Sequence, residues 1–178
     1  MYDAALPTAA TVIFMSETTP NGAAPDQQAN QPGLRVLAQY LKDHSFENPR
    51  APASFRDVGA APGIEVNVDV NARALGASQF EVELAVSARA SRAQEVVFVV
   101  ETTYAGVFEI TNIPDSQIEP VLLIECPRLL FPFARQIVAE TTSSGNFPPV
   151  MLDPIDFLGI YQRNLAARAN GAPASLNA

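Results

Sequence analysis

The side chains that could support catalysis are few in this chain of 178 residues. His44 is the single histidine, so a histidine cluster for a metal is impossible and a Ser-His-Asp triad has one candidate base. Cys126 is the single cysteine and precedes a proline in an apolar stretch, which is typical of a buried, unreactive thiol. The glycines are scattered and form no phosphate loop. We therefore expect a protein that is not an enzyme and that has no metal site or cofactor.

Two pairs of closely spaced carboxylates remain, and each has an ordinary structural interpretation. Glu81 and Glu83 alternate with apolar residues, as on the solvated face of a strand. Asp153 and Asp156 flank Pro154, an arrangement that is common at the start of a helix. The whole chain carries 19 acidic and 11 basic residues, for a formal net charge of -8. Phosphate backbones repel such a chain, which argues against nucleic-acid binding, whereas a basic protein would complement it.

The composition indicates one folded domain between two polar ends. Apolar residues make up 48% of the chain, which argues against a largely disordered protein. We expect a disordered N-terminal extension at residues 1–33, a folded domain at 34–168 and a disordered tail at 169–178. The sequence around Met15 resembles an ordinary protein start, so residues 1–14 are interpreted as an upstream extension.

Several features predict a cytoplasmic protein. The longest apolar runs, at 96–100 and 120–124, are too short to span a membrane. Residues 1–14 lack the basic leading region of a secretory signal. A single cysteine cannot form an internal disulfide, so no oxidising compartment is required.

Alternating apolar and polar residues predict β-strands in the middle of the chain. The alternation is without fault over 64–71 and recurs over 80–88. A third strand is predicted at 95–104, where both faces are partly apolar, and a shorter fourth strand at 106–111. The connections between them are short, which favours an antiparallel meander.

After Pro114 the spacing of apolar residues becomes helical. We predict one helix that starts at Pro127, bends near Pro132 and ends at Gly145, and a second that Asp153 caps and that runs to about residue 168. Strands followed by two main helices make this an α+β domain. Two helices can cover only one face of such a sheet, so the remaining apolar surface predicts an assembly or a binding groove.

Three segments, in this order, resemble motifs of the SecB family of protein-export chaperones. They are residues 40–52 (YLKDHSFENPRAP), residues 126–135 (CPRLLFPFAR), and residues 145–149 (GNFPP) followed by 152–157 (LDPIDF). The likeness covers about 34–161. The chain departs from the version of the family known best by having IECPR at 124–128, and by having Val100 at the strand position where that version has cysteine.

The resemblance implies a homotetramer, assembled as a dimer of dimers, that keeps precursor proteins unfolded without ATP and delivers them to the translocation ATPase SecA. Residues 61–110 contain seven acidic and three basic side chains, so an acidic sheet face would suit a basic partner. Two alternatives stay open. One is a SecB-like chaperone dedicated to another partner, such as a toxin–antitoxin pair, and the other is a tetrameric adaptor without clients.

The resemblance also assigns candidate residues to three surfaces. SecA binding corresponds to Asp43, Glu47, Val99 and Glu101. The client groove corresponds to Phe46, Phe133, Phe157 and Tyr161. The oligomer interface corresponds to Phe98, Val100, Thr102 and Tyr104. Solvated carboxylates and plain core aromatics are the structural alternatives for the first two sets.

Overall fold

The computed structural model describes residues 31–56 and 61–169. The strands are β1 (Gly33–Glu47), β2 (Gly63–Ala74), β3 (Gln79–Arg92) and β4 (Glu95–Thr111). The helices are α1 (Asp115–Pro120), α2 (Cys126–Ser144) and α3 (Phe157–Ala169), with a π-helical turn at Val121–Glu125 and a 3-10 turn at Ala53–Phe55. The terminal segments for which we expect disorder lie outside the described residues, apart from the positions next to β1 and at the end of α3.

The four strands form one antiparallel sheet in the order β1-β4-β3-β2. The predicted α+β class, with a four-stranded antiparallel sheet followed by helices, is confirmed. The meander holds for β2, β3 and β4, whereas β1 crosses over to pair with β4. The predicted strands at 95–104 and 106–111 are one continuous strand, and the fourth strand is β1, which the alternation did not reveal.

Two bulges explain why the sequence of β1 does not show regular alternation of apolar and polar residues. The register against β4 shifts between Val36 and Ala38 and again between Leu41 and Asp43. Each extra residue reverses the inside–outside pattern of the side chains that follow. Strand β4 continues through Gly106 without a break. A glycine suits this position because a larger residue would meet α2: a Cβ would lie 3.0 Å from Leu130 Cδ2.

The helix predicted from Pro127 to Gly145 corresponds to α2 within one residue at each end, whereas the helical turns before it and the start of α3 differ from the prediction. Helical structure begins at Asp115, and the π-helical turn comes immediately before α2, whose Pro127 has no N–H to donate to a preceding carbonyl. Helix α3 begins at Phe157 rather than at Pro154, because the Asp156 carboxylate accepts the Gly159 N–H at 3.0 Å and so acts as the cap predicted for Asp153.

The hydrophobic core lies between the inner face of the sheet and helix α2. Even-numbered residues of β3 and β4 point inward, and α2 contributes side chains that match them. The largest fully buried aliphatic and aromatic side chains include Phe98, Phe108, Leu84, Leu130 and Phe157. The helices therefore cover one face of the sheet, while the outer face carries polar and charged side chains.

A buried carboxylate ties three strands together on the outer face. The Glu81 side chain on β3 is only 3% exposed and accepts hydrogen bonds from Tyr40, Lys42 and Arg73. Tyr40 and Lys42 reach across β4 from β1, because β4 presents the small Ala105 between them. Hydrogen bonds from Arg73, Tyr40 and Lys42 lower the pKa of Glu81 to about 2.

Glu81→Gln is expected to lower the free energy of unfolding by about 1–3 kcal/mol at neutral pH, because a buried acceptor loses its charge. The pKa of Glu81 in the folded state, about 2, lies below the ordinary value of 4.5. The stabilisation is therefore complete above pH 4.5 and is lost as the pH falls toward 2. Urea unfolding between these pH values should show a free energy of unfolding that depends less on pH in Glu81→Gln than in the unmodified chain.

Glu83→Gln is the matched control, since Glu83 is more exposed and has Lys42 as its one ion-pair partner within the described residues. An unchanged pH dependence in Glu81→Gln would contradict the assignment.

Candidate functional site

The four residues expected to bind SecA lie together on the outer face of the sheet. Strands β1 and β4 place Glu47 opposite Val99, and place Ser45, which lies between Asp43 and Glu47, opposite Glu101. The three carboxylates are exposed and Val99 is half-buried. The strand pairing thus sets a small apolar contact among acidic side chains at one end of the sheet.

Charge pairing divides the outer face into two halves. At one end Glu81, Glu83 and Glu109 form ion pairs with the neighbouring Arg73, Lys42 and Arg35. At the other end Asp43, Glu47 and Glu101 form no ion pair with any residue in the described ranges. Asp43, Glu47 and Glu101 therefore carry unpaired negative charge at this end, which we call the acidic end, with the basic Arg89 of β3 opposite Val99.

Both ring nitrogens of His44 contact threonine hydroxyls. Its side chain points to the inner face, opposite to that of Asp43, and its Nδ1 lies 2.9 Å from Thr102 Oγ1. The other ring nitrogen, Nε2, lies 2.9 Å from Thr141 Oγ1. His44 thereby links β1 to β4 and to the end of α2.

The residues expected at the oligomer interface lie mainly inside the chain. Phe98, Val100 and Thr102 are 2%, 0% and 2% exposed beneath the helical layer. These three side chains are therefore covered within one chain, and their place at an oligomer interface stays a prediction. Tyr104 is half-buried and stacks on Phe133 of α2, with ring centroids 5.5 Å apart.

Exposed apolar side chains occur on β1 and on α2. The β1 members, next to its two bulges, are Val36, Leu37 and Leu41, and the α2 members are Leu129 and Phe133. Strand β1 is also an edge of the sheet. Both surfaces therefore expose apolar area in the single chain.

The four residues expected to line a client groove are spread over separate places. Phe133 is 45% exposed on α2, whereas Phe157 is 1% exposed and packs against Phe131. Tyr161 lines a cavity beside α3, and Phe46 belongs to an aromatic cluster at the end of β1. Phe157 is thus a core residue, and the remaining three lie on different surfaces.

The aromatic cluster consists of Phe46, Phe55, Phe98 and Phe147. Phe147 is central, with its ring centroid 4.7 Å from that of Phe98, 5.5 Å from that of Phe55 and 6.4 Å from that of Phe46. Phe55 is 46% exposed, so the cluster is open to solvent on one side. Gly145 allows this packing, because a Cβ there would overlap the Phe46 ring. The sequence analysis missed Phe55 and Phe147, although Phe147 belongs to the 145–149 motif.

An apolar groove lies between β2 and the chain that leads into α3. Its first half is an apolar cavity of about 510 Å³. Its second half is a separate cavity of about 590 Å³ near α1, whose lining also includes the charged Asp69, Asp115, Glu119 and Arg168. The first half has the inward-facing residues of β2 on one side and residues 149–156 on the other, and the two halves share Ile160. Tyr161 lines the second half. Phe147 leads directly to Pro149, so the aromatic cluster and the groove are neighbours along the chain. The sequence feature that points to this site is the alternation in β2, because the two helices leave part of its apolar face uncovered.

Within the described residues no group of three or more metal-binding side chains occurs. Burial raises the pKa of the Cys126 thiol to about 12, so the thiolate that would act as nucleophile or metal ligand is disfavoured. No helix in residues 31–56 and 61–169 has the length and apolar character needed to cross a membrane.

The family model and the similar proteins found by comparison all name the same family. The family described as "Preprotein translocase subunit SecB" matches residues 27–168. A "Protein-export protein SecB" of Maricaulis maris is 54% identical over 88% of this chain and 91% of its own length. One of Mesorhizobium japonicum is 58% identical over 76% of this chain and 81% of its own length.

Among solved structures, a SecB-like chaperone of Mycobacterium tuberculosis, in complex with a ChAD peptide from an antitoxin, has a related fold. It aligns with a TM-score of 0.57 and 18% identity, covering 69% of this chain and 91% of that one. At this identity the likeness concerns the fold alone.

Proposed function

The chain belongs to the SecB family, and we propose that it is an ATP-independent chaperone that holds precursor proteins unfolded and delivers them to SecA in the cytoplasm. Its close relatives are named protein-export proteins, so it serves export. The observation that carries the proposal is the separation of two surfaces: an acidic end on the outer face and an open apolar groove beside the inner face.

The groove and the aromatic cluster suit unfolded clients. Aromatic and aliphatic side chains recognise apolar segments without a sequence code. Burial of one large apolar side chain contributes about 1.5–3 kcal/mol, so several contacts along one chain give strong binding. The SecB-like chaperone of similar fold binds a peptide of its partner, which supports an extended polypeptide as the ligand class.

The acidic end suits a basic partner such as the one the family resemblance implies. Asp43, Glu47 and Glu101 are exposed and unpaired within the described residues, so a cationic segment needs to displace no internal ion pair. Val99 adds a small apolar contact between them. Because these residues match the SecA-binding positions, SecA is favoured over an unrelated partner of a SecB-like chaperone.

Asp43→Ala combined with Glu101→Ala is expected to weaken SecA binding about 3- to 10-fold and to leave client binding unchanged, because rim charges contribute modestly. The difference in SecA affinity between this variant and the unmodified chain should shrink as the salt concentration is raised, since the charges are exposed. Calorimetry with SecA and with an unfolded protein measures both affinities. Glu140→Ala on α2 removes an exposed carboxylate elsewhere and is the control. Equal loss of SecA and client binding would count against this division of labour.

We further propose the homotetramer, a dimer of dimers, that the family resemblance implies. Its support here is the exposed apolar area on β1 and on α2, which one chain leaves uncovered. A tetrameric adaptor without clients would share these surfaces but would leave the groove empty, so client binding separates the two hypotheses. Catalysis forms no part of the proposal.

A further inference from the structure

Methionine is rare in this chain, and one methionine lies in an exposed position. The sequence has three, Met1, Met15 and Met151, and of these only Met151 lies in the described residues. Met151 is 61% exposed, more than any other large apolar residue in the ranges 31–56 and 61–169. A thioether in such a position can be reached by an oxidant dissolved in water.

The residues on either side of Met151 hold its side chain outward. Val150 and Leu152 are 7% and 4% exposed and belong to the hydrophobic core. The Val150 N–H donates to the Oγ1 of the buried Thr142 at 3.0 Å, which ties this segment to the end of α2. Because both neighbours are anchored, Met151 cannot turn inward without pulling them out of the core.

Met151 lies between two apolar cavities. One is the 510 Å³ cavity between β2 and residues 149–156. The other has a volume of about 500 Å³ and lies between the same segment and α2, where Phe131 and Ala139 line it. Met151 and Pro154 line both cavities. An apolar client segment that fills either cavity would therefore cover the Met151 thioether.

We propose that Met151 is a reversible oxidation site whose state regulates client binding. This inference rests on the proposed function and adds a control to the same surface. Hydrogen peroxide transfers one oxygen atom to the sulfide sulfur, which gives up two electrons and becomes a sulfoxide, and the second oxygen of the peroxide leaves as water. A dithiol-dependent methionine sulfoxide reductase reverses the step: two thiols are oxidised to a disulfide, and the sulfoxide oxygen leaves as water.

The sulfoxide changes what a client meets at this position. Its oxygen is a hydrogen-bond acceptor, which water hydrates in the free chain because Met151 is exposed. An apolar client segment that covers the sulfoxide removes this water and supplies no donor in its place. Oxidation is therefore expected to weaken client binding about 5- to 10-fold. The fold should persist, since the oxygen stays in water until a client binds.

The single thiol of the chain does not compete for the oxidant. Cys126 is 0% exposed, and burial raises its pKa to about 12, which disfavours the thiolate that peroxide attacks.

Peptide mass spectrometry and client titration test the inference on the full chain, before and after treatment with dilute hydrogen peroxide. The client is a permanently unfolded protein without methionine or cysteine, and catalase removes the remaining peroxide before titration. Met151 of the native protein should be converted to the sulfoxide, and client affinity should fall about 5- to 10-fold. Methionine sulfoxide reductase with a dithiol should restore the affinity.

Met151→Leu is the matched variant, because leucine is apolar, has a similar volume and cannot form a sulfoxide. This variant keeps Met1, Met15 and Cys126. Compared with its own untreated form, Met151→Leu should show no change of affinity after peroxide. Met151→Gln places a polar side chain of similar length at this position and should lower the affinity without any oxidant.

Conversion of Met151 with unchanged client affinity would overturn the inference and leave the proposed function standing. The same conclusion would follow if Met151 resisted peroxide in the native protein but reacted in urea. An equal loss of affinity in Met151→Leu would assign the effect to another residue and overturn the inference as well. Absence of client binding before any oxidation would overturn both the inference and the proposed function.

Discussion

Replacing Phe98 by alanine is expected to lower the free energy of unfolding by about 3–5 kcal/mol. The ring is 2% exposed and lies 4.7 Å from the Phe147 ring and 5.9 Å from the Phe46 ring, measured between centroids. Its removal would leave a cavity at the base of the aromatic cluster, where β4 and the chain after α2 hold the neighbours in place. Urea unfolding at several protein concentrations measures the loss, which should persist at every concentration because it belongs to the single chain.

Phe133→Ala is the matched control for this prediction. Phe133 is 45% exposed and stacks on Tyr104 of β4. Its truncation should cost about 1 kcal/mol or less within one chain and should act mainly on assembly. A Phe98→Ala protein of normal stability that failed to assemble would contradict this account and would restore Phe98 as an interface residue.

Phe55→Ala combined with Met151→Ala is expected to weaken binding of an unfolded client about 30- to 150-fold, which corresponds to about 2–3 kcal/mol. Phe55 is 46% exposed at the aromatic cluster, and Met151 is 61% exposed at the groove. Because both side chains are largely exposed before binding, their truncation should change folding stability little. Fluorescence titration with a labelled, permanently unfolded protein measures the affinity.

Leu75→Ala is the control for the client variant. Leu75 is 45% exposed in the turn between β2 and β3 and lines neither half of the groove. It therefore tests whether any exposed apolar side chain contributes to client binding. If Leu75→Ala weakened binding as much as the double variant, the groove and the aromatic cluster would lose their special role.

The sequence predicted those strands whose register is regular. Strands β2 and β3 pair from Gly63 to Ala74 without a shift, so apolar and polar side chains alternate cleanly between the two faces. Strand β1 has neither property, because two bulges reverse its pattern and as an edge strand it is mostly exposed. The break assumed before Gly106 reflects close packing against Leu130, a tertiary contact that local spacing does not reveal.

The bounds of α2 match the prediction within one residue, but the helical turns before it were not predicted. The chain continues through Pro120 from α1 into a π-helical turn and then into α2. Asp153 and Asp156 are both suitable caps by composition, and the position of Phe157 in the core decides for Asp156. Local sequence preference allows either aspartate to cap α3, and the packing of Phe157 in the core determines which of them does.

The candidate sites also differ in how far the sequence could predict them. The strand pairing brings Asp43, Glu47, Val99 and Glu101 onto one surface, as expected of residues that share a partner. The client and interface sets depended on which aromatic and apolar residues are exposed, and periodicity alone cannot tell this. Phe157 and Phe98 are buried, whereas Phe55 and Met151, which the sequence analysis passed over, are exposed.

Whether the purified chain holds an unfolded precursor soluble without ATP tests the central claim most directly. A precursor diluted from denaturant should remain soluble in a stable complex with the chaperone, while the same protein in its folded form should show no binding. Size-exclusion chromatography with light scattering measures the complex and its mass. Aggregation of the precursor in the presence of a folded chaperone, or equal binding of folded and unfolded forms, would contradict the account.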